Sequence, residues 1–553
     1  MSPNEKGTIY IGAQFLFRSR DHGQSWDRIS PDLTSNDPLK QKQEESGGVT
    51  VDNSAAETHT TIYSISESPK NGQLIWVGTD DGNLQLTRDG GKSWNNMIGN
   101  IQGLPKNAWV SWVEASRFDE SVVYAAFDRH SFGDMQPWVY RSKDYGKSWT
   151  RIVAPAQGVR GYAHVIREDT LKPELLFLGT EFGLWISIDG GAQWAQYKGG
   201  NFPNVAVRDL VVQPRTSDLV LATHGRGIWI IDDITPLRAL TPTVLNLDAG
   251  FIEARPQQQR INARGGWRDG DATFTGDNPP NAAVITYYQK SRHLFGKIKL
   301  EILDSKGVVI DSIAASKRRG LNRVTWGMRV KPPRVPSAAQ VAFNASQGPR
   351  VLPGDYTVRL TKGTEVYTAP LKIGIDARAK YPLAERQQEF DAAMRVHALF
   401  GAMTDLVYRI NAARTGVQER SSKLPEKDAL RTQLATYGSK LDEVRKQIVA
   451  TKEGGAITGE ERIREHMDSL YGAIVNYEGR PSDYQLAAID TQQRELADVA
   501  EQFNKLNGEQ LIKLNTALSA KQLQPITIPD AAPEDVGQQS ANGDKKGGWL
   551  DRD

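Results

Sequence analysis

The sequence predicts a multidomain, mainly β protein: a β-propeller of few or partial blades, then a β-sandwich, then an α-helical bundle. Three observations carry this. A turn of the form Ser/Thr-x-Asp-x-Gly-x-Ser/Thr-Trp occurs four times in the first half of the chain. Short alternating runs without that turn fill residues 281–376. From residue 382 the apolar period lengthens from two to three or four, the helical spacing.

The four turns span residues 19–26, 87–94, 142–149 and 187–194. Asp21, Asp89, Asp144 and Asp189 hold the third position, and Trp26, Trp94, Trp149 and Trp194 the eighth. The last copy has Gln193 where the others have Ser. Successive aspartates are 68, 55 and 45 residues apart, close to the roughly 40–50 residues of a four-stranded propeller blade. The turn chemistry is structural. An Asp carboxylate accepts the N–H groups of its own turn, the Gly allows a positive φ, and the Trp offers a large apolar surface for packing on the next blade. This turn resembles the Asp-box, or BNR repeat, of sortilin-type receptors, bacterial sialidases and xyloglucanases. The resemblance implies blades and leaves activity open, because enzymes and non-enzymes share this folding device.

Composition narrows the classes. A net charge of +2 on 553 residues gives no general field for nucleic acid or for acidic substrates. The absence of cysteine excludes disulfides and thiolate metal sites. No apolar run approaches the roughly 20 residues of a membrane-spanning helix. The opening MSPNEKGTIYIGAQ has no apolar core of a signal peptide. No cofactor motif is present, and none is expected.

In chain order, residues 8–30 supply three strands around the first Asp-turn, without the innermost strand of a blade. A polar stretch over 31–59 follows. Three full units run over 60–97, 109–152 and 162–197. A fifth covers 205–231, with neither an Asp-turn nor an outer strand. Three full units and two partial ones suggest a truncated propeller over residues 1–235, completed by an upstream segment or a second chain. A closed five-bladed ring is the alternative. Residues 236–280, rich in Arg, Gly, Asn and Pro, read as an irregular linker. Alternation returns over 281–376 as a sandwich. There Gly320-Leu321-Asn322-Arg323-Val324-Thr325-Trp326 and Leu352-Pro353-Gly354-Asp355-Tyr356-Thr357-Val358 resemble the Ig-like module that ends flagellar-hook capping and secreted bacterial proteins.

Phe390, Met394, His397, Phe400, Met403, Val407 and Ile410 mark one amphipathic helix. Leu430, Leu434, Tyr437, Leu441, Val444 and Ile448 mark a second, ending at Gly454-Gly455. Thr458 with Glu461 reads as a capping box opening a third, and Ser482 with Gln485 as one opening a fourth. Together they make a self-packed bundle over 382–522. The polar segment 523–553 reads as a disordered tail.

In a propeller the turns between second and third strands share one face with the crossovers between blades. That face collects Asp80-Asp81, Asp128-Arg129-His130, Glu181-Phe182 and His224-Gly225-Arg226, with His59, Trp109, Arg160 and His164 from the crossovers. Charged, aromatic and His side chains round a channel mouth are the default ligand site. Asp80, Asp128, Arg129, His130, Glu181, His224 and Arg226 are therefore candidates to hold a ligand, and Asp80, Asp81, Asp128 and Glu181 candidate catalytic carboxylates. The plain reading stands beside this one: Asp and Gly form turns, so Asp80-Asp81-Gly82 can be a turn and nothing more. The His residues near these turns read as hydrogen-bonded structure and not as metal ligands.

His224-Gly225-Arg226-Gly227-Ile228-Trp229 resembles the closing-blade motif of large bacterial proteins known as BNR-repeat glycosyl hydrolases or sortilin-like proteins. The resemblance covers only their C-terminal half, and it implies export. Glycines on both sides of Arg226 would let its backbone sit close to a neighbour. Sialidases would require an early Arg-Ile-Pro signature; Arg28-Ile29-Ser30 and Arg151-Ile152-Val153 are what this chain has. Xyloglucanases place two Asp across a cleft between two propellers, and this chain has less than one. The reading is a non-catalytic binding or scaffold protein for a peptide, protein or glycan. The alternatives are a glycoside hydrolase using the face carboxylates, and an assembly protein acting through its helical bundle.

Overall fold

In the computed structural model the described residues are 1–42, 45, 59–253, 255–261, 280–454 and 459–538. They form two compact units, Met1–Asn246 and Leu247–Asp553.

The first unit is five consecutive antiparallel sheets. Blades two, three and four have four strands each, and blades one and five have three. Blade one is Ile9–Gly12, Leu16–Ser19 and Asp27–Arg28. Blade five is Val207–Val212, Leu219–Thr223 and Ile228–Ile231. The innermost strands Ile62–Ser68, Trp109–Ala115, Ala163–Glu168 and Val207–Val212 pack in sequence, each on the next. Serines stitch them together. Ser64 and Ser66 accept the backbone N–H groups of Val113 and Ala115 at 2.9 and 3.0 Å, and Ser111 donates to the Ala163 carbonyl at 2.8 Å. Each hydroxyl satisfies a backbone group that the fanned strands leave without a ladder partner. Blades one and five share no extensive packing among the described residues. The far face of blade five leaves Ile228 74% and Ile230 58% exposed. The closed five-bladed ring is therefore not the arrangement seen.

The four Asp-turns superimpose in chemistry. In the second, Thr87 Oγ1 donates to Asp89 Oδ1 at 2.8 Å and accepts the Gly91 N–H at 2.9 Å. Asp89 Oδ1 accepts the Ser93 N–H at 2.9 Å, and Oδ2 the Ser93 hydroxyl. The turns at Asp21 and Asp144 repeat this network. At Asp189 the backbone N–H of Gln193 donates at 2.9 Å, with no hydroxyl behind it. These bonds to the charged form hold Asp21, Asp89 and Asp144 below the usual carboxylate range.

The Trp residues correct one expectation: they pack on the preceding blade, not the next. Trp94 donates its indole N–H to Ile29 O at 3.1 Å, and Trp194 to Ile152 O at 2.9 Å. Trp149 meets Trp76 edge to face at 6.1 Å. In the last three turns the glycine lies against the same neighbour. A Cβ on Gly91, which has φ +103°, would come within 2.4 Å of Ile29 O, so both conformation and space demand glycine. Trp26 meets no preceding blade and is 41% exposed.

The second unit opens with a sandwich of a three-stranded and a five-stranded sheet. Ile285, Tyr287, Leu300, Ile302, Trp326, Leu360 and Ile373 fill the space between them. The segment read as a linker contributes a strand to each sheet. Ala249–Phe251 pairs with Ala283–Gln289, and Gln257–Gln259 runs parallel to Glu365–Ile375. Residues 262–279 lie outside the described residues.

Among the described residues five helical segments of eight residues or more follow, the last two joined by a π-helical turn, Asn507–Leu511. They are Leu383–Ser421, Ala429–Ile448, Ile463–Val475, Asp483–Leu506 and Ile512–Ala520. Phe400, Met403, Val407, Ile410, Leu434, Tyr437, Leu441, Met467, Ile489 and Phe503 form their core, each apolar side chain contributing on the order of 1.5–3 kcal/mol. The second helix ends at Ile448, before the Gly454-Gly455 stop expected for it; Gly455 itself lies outside the described residues. Ser482 caps the fourth helix, accepting the Gln485 N–H at 3.2 Å while Gln485 Oε1 accepts the Ser482 N–H at 2.8 Å. Thr458 also lies outside the described residues. The third helix starts after Arg462 with no side-chain cap, so the expected box does not open it. Part of the segment read as a tail is packed: Ile526 is buried in the bundle core, and Gln538 bridges Arg334. Residues 539–553 lie outside the described residues.

Candidate functional site

The face opposite the Asp-turns carries the turns between second and third strands of each blade. The structure separates its candidate residues into three groups.

Asp80 and Asp81 are spent on the fold. Asp80 Oδ1 accepts the Thr61 N–H at 2.8 Å while its own N–H donates to Thr61 O at 3.0 Å. The pair clamps the crossover into blade two. Asp81 is buried. Its Oδ1 accepts the Thr79 hydroxyl at 2.5 Å and its Oδ2 the Ser35 N–H at 2.6 Å, tying the segment after blade one to this turn. Burial pushes the Asp80 carboxyl up, against the Thr61 hydrogen bond.

A second group converges. Both oxygens of Asp128 meet His130 Nδ1, at 2.8 and 2.7 Å. The His130 ring stacks on Tyr162, with centroids 4.6 Å apart and planes 18° apart. Tyr162 meets His164 edge to face at 4.7 Å. His164 Nε2 lies 3.0 Å from Glu181 Oε2. Arg208 closes the chain, with Nη1 3.4 Å from His164 Nδ1 and Nη2 3.8 Å from Glu181. Blades three, four and five each supply a part. Arg208 donating to Nδ1 puts the His164 proton on Nε2, from which it donates to Glu181.

Protonation follows from those contacts. Burial first, then the Arg208 charge, lowers the His164 pKa, so the ring is neutral. Burial opposes ionisation of Glu181. Hydrogen bonds from His164 and Tyr162, with the Arg208 charge, outweigh it and hold the carboxylate ionised. Burial and the Glu181 carboxylate push the Tyr162 hydroxyl up to about 12, where it stays a donor. Arg129, adjacent in sequence, turns away: it donates to Lys106 O and lies over the Phe132 ring at 4.4 Å.

His224 and Arg226 make the third group. Both are exposed, and no described side chain joins them to the Tyr162 cluster. Gly225 and Gly227 have φ +78° and +69°, but nothing lies within 4 Å of a Cβ at either position. The expectation that these glycines admit a close neighbour is not met; they shape the turn alone.

Beneath the cluster, Arg167 binds the innermost strands together. It reaches Glu114 at 2.8 Å, the Leu210 carbonyl at 2.9 Å and Asp209 at 3.5 Å, and it covers Trp112. This fixes the strand that carries Arg208. The sequence pointed to Asp128, His130, His164 and Glu181. It gave no role to Tyr162 or Arg208. The one available signal for Arg208 was the Arg-Asp pair that interrupts the apolar run of residues 205–212. Among the described residues, no cluster of three or more His, Asp or Glu is placed to hold a metal ion, and no helix is long and apolar enough to cross a membrane.

No family model matches the chain. It is 25% identical over 261 residues to the oligoxyloglucan-reducing end-specific xyloglucanase of Emericella nidulans, covering 42% of this chain and 31% of that protein. It is 25% identical over 259 residues to the probable enzyme of that name from Neosartorya fischeri, covering 42% and 30%. The chain thus spans about a third of the length of the curated relatives it matches. Among solved structures, the GH74 enzyme of Niastella koreensis is 12% identical with a TM-score of 0.30, covering 68% of this chain and 53% of that one. YCF48 bound to D1 peptide is 16% identical with a TM-score of 0.26, covering 45% and 69%. TM-scores this low add nothing to the sheet topology described above. The chain is a mainly β, propeller-bearing protein that resembles xyloglucanases over less than half its length.

Proposed function

We propose that this protein binds a peptide or glycan, without catalysis, at the propeller face centred on Tyr162. One observation carries the reading: every candidate carboxylate on that face is engaged inside the protein. Glycoside hydrolysis needs an acid that can give up a proton and a second carboxylate free to act on water or sugar. Glu181 is kept ionised by its donors, Asp128 is closed onto His130, and Asp80 and Asp81 hold backbone N–H groups. What faces solvent on these turns makes a recognition surface: the half-exposed guanidinium of Arg208, the half-exposed ring of His130, and the exposed Phe132 and Phe182. Aromatic planes and one cation suit the apolar faces and carbonyl or hydroxyl edges of a peptide or sugar. His224 and Arg226, exposed on the neighbouring turn, extend this surface. The bare far face of blade five supports completion of the propeller by further blades, from another segment or a second chain.

Peptide and glycan arrays probed with the full chain, followed by titration of the best ligand, test this. Arg208→Ala weakens binding by about tenfold, the scale of one hydrogen bond to a charged group. Binding unchanged in both Arg208→Ala and Tyr162→Ala sinks the proposal. A second reading, oligosaccharide hydrolysis, is favoured by the resemblance to xyloglucanases. Release of reducing ends from xyloglucan oligosaccharides, lost in Glu181→Gln, would establish it.

A further inference from the structure

An unusual charge cluster lies in the second unit, far in sequence from the propeller face. Arg329 and Arg350 pair directly across an isolated antiparallel bridge. Like charges placed opposite each other in this way repel. Arg386, in the first turns of the Leu383–Ser421 helix, joins them. It is 4% exposed, and Glu389, one turn on, is 2% exposed. Arg386 Nη1 donates to Glu389 Oε2 at 2.9 Å. Its Nη2 is fully buried with no hydrogen-bond partner, which costs about 1–3 kcal/mol or more for a charged donor.

The anions present do not balance the cations. Glu478 pairs with Arg350 at the rim, and Glu389 faces all three guanidiniums. Three cations therefore meet two carboxylates, and burial raises the Glu389 pKa to about 7, which thins that negative charge near neutrality. Asp468 does not help, because it is taken up by the backbone N–H groups of Asn344 and Ala345. Tyr471, the remaining neighbour, donates its hydroxyl to Gln347 O at 2.8 Å. The N-terminal end of the long helix adds further positive potential.

We propose that Arg329, Arg350 and Arg386 form a binding site for an oxyanion, a carboxylate or a phosphate-type group, which accepts from the free Nη2 of Arg386. Guanidinium forks match the paired oxygens of such groups. Arg329 is partly covered and the Arg350 side chain is 12% exposed, so the site meets solvent at its edge. The bound anion relieves the repulsion across the bridge and pairs the buried donor.

The test uses the full chain, titrated calorimetrically with sodium phosphate, sodium sulfate and sodium acetate, with sodium chloride at matched ionic strength as the control. Saturable binding of phosphate or sulfate marks a phosphate-type ligand, and binding of acetate alone marks a carboxylate. Arg386→Met weakens either by at least about tenfold, as loss of a charge-assisted hydrogen bond does. Glu389→Gln, isosteric and lacking the competing carboxylate, tightens it several-fold and carries the test if Arg386→Met fails to fold. No saturable response, or a response equal in Arg386→Met and the parent, overturns the proposal, as does unchanged affinity in Glu389→Gln.

Discussion

The two faces of the propeller use aspartate in opposite ways. On one face Asp21, Asp89 and Asp144 sit in copies of a single hydrogen-bond network, each held ionised by the same donors. On the other, the side chains of Asp80, Asp81 and Asp128 are each used differently: one clamps a crossover, one ties down a segment, one grips a histidine. Repetition marks the folding device, because every blade has the same problem to solve. Departure from repetition marks the place where the blades do something individual. The Tyr162 cluster is the most individual assembly on that face, drawing on blades three, four and five.

The largest expected effect tests the repeating face. Trp194→Ala removes a buried indole and leaves the Ile152 carbonyl unpaired, for a loss of about 3–5 kcal/mol in chemical denaturation. Asp81→Ala comes next. It strands the Ser35 N–H and leaves the Thr79 hydroxyl only the Asn83 carbonyl at 3.3 Å, for about 1–3 kcal/mol by the same measurement, although Asp81 is not part of an Asp-turn. If Asp81→Ala proved harmless, the view that this turn belongs to the fold would fall.

Asp144→Asn sharpens the contrast through pH. The folded pKa of Asp144 lies below the ordinary aspartate value. Its contribution is therefore present above the unfolded pKa and lost as pH falls through the folded one. Parent protein loses melting temperature across that acid window, and Asp144→Asn shows a shallower loss. The smallest effect is the control. Trp26→Ala, in the same turn but 41% exposed, changes stability by less than about 1 kcal/mol. A loss as large as that of Trp194→Ala would mean that Trp26 is covered in solution.

The blades were legible because their evidence is local. An eight-residue turn and a period of two need no knowledge of the rest of the chain, and the helix faces at 430–448 and 482–506 were readable for the same reason. What stayed hidden depends on contacts distant in sequence. The strands Ala249–Phe251 and Gln257–Gln259 are three residues long with no alternation, and only their sheet partners make them strands. Ile526 lies in a polar segment and is ordered by a core built from helices earlier in the chain. The direction in which each Trp packs is a property of neighbouring blades, not of the turn. Arg208 reaches His164 across 44 residues, and nothing beside it in the sequence announces that contact.

That packing direction has a consequence for how the protein is made. The second, third and fourth Asp-turns each close onto a carbonyl or a ring of the blade before: Trp94 onto Ile29, Trp149 onto Trp76, Trp194 onto Ile152. Each of these three turns can therefore close only when the preceding blade is already in place. Assembly has a polarity, and it is the polarity of the ribosome. The second, third and fourth Asp-turns leave the exit tunnel after the surfaces onto which they dock.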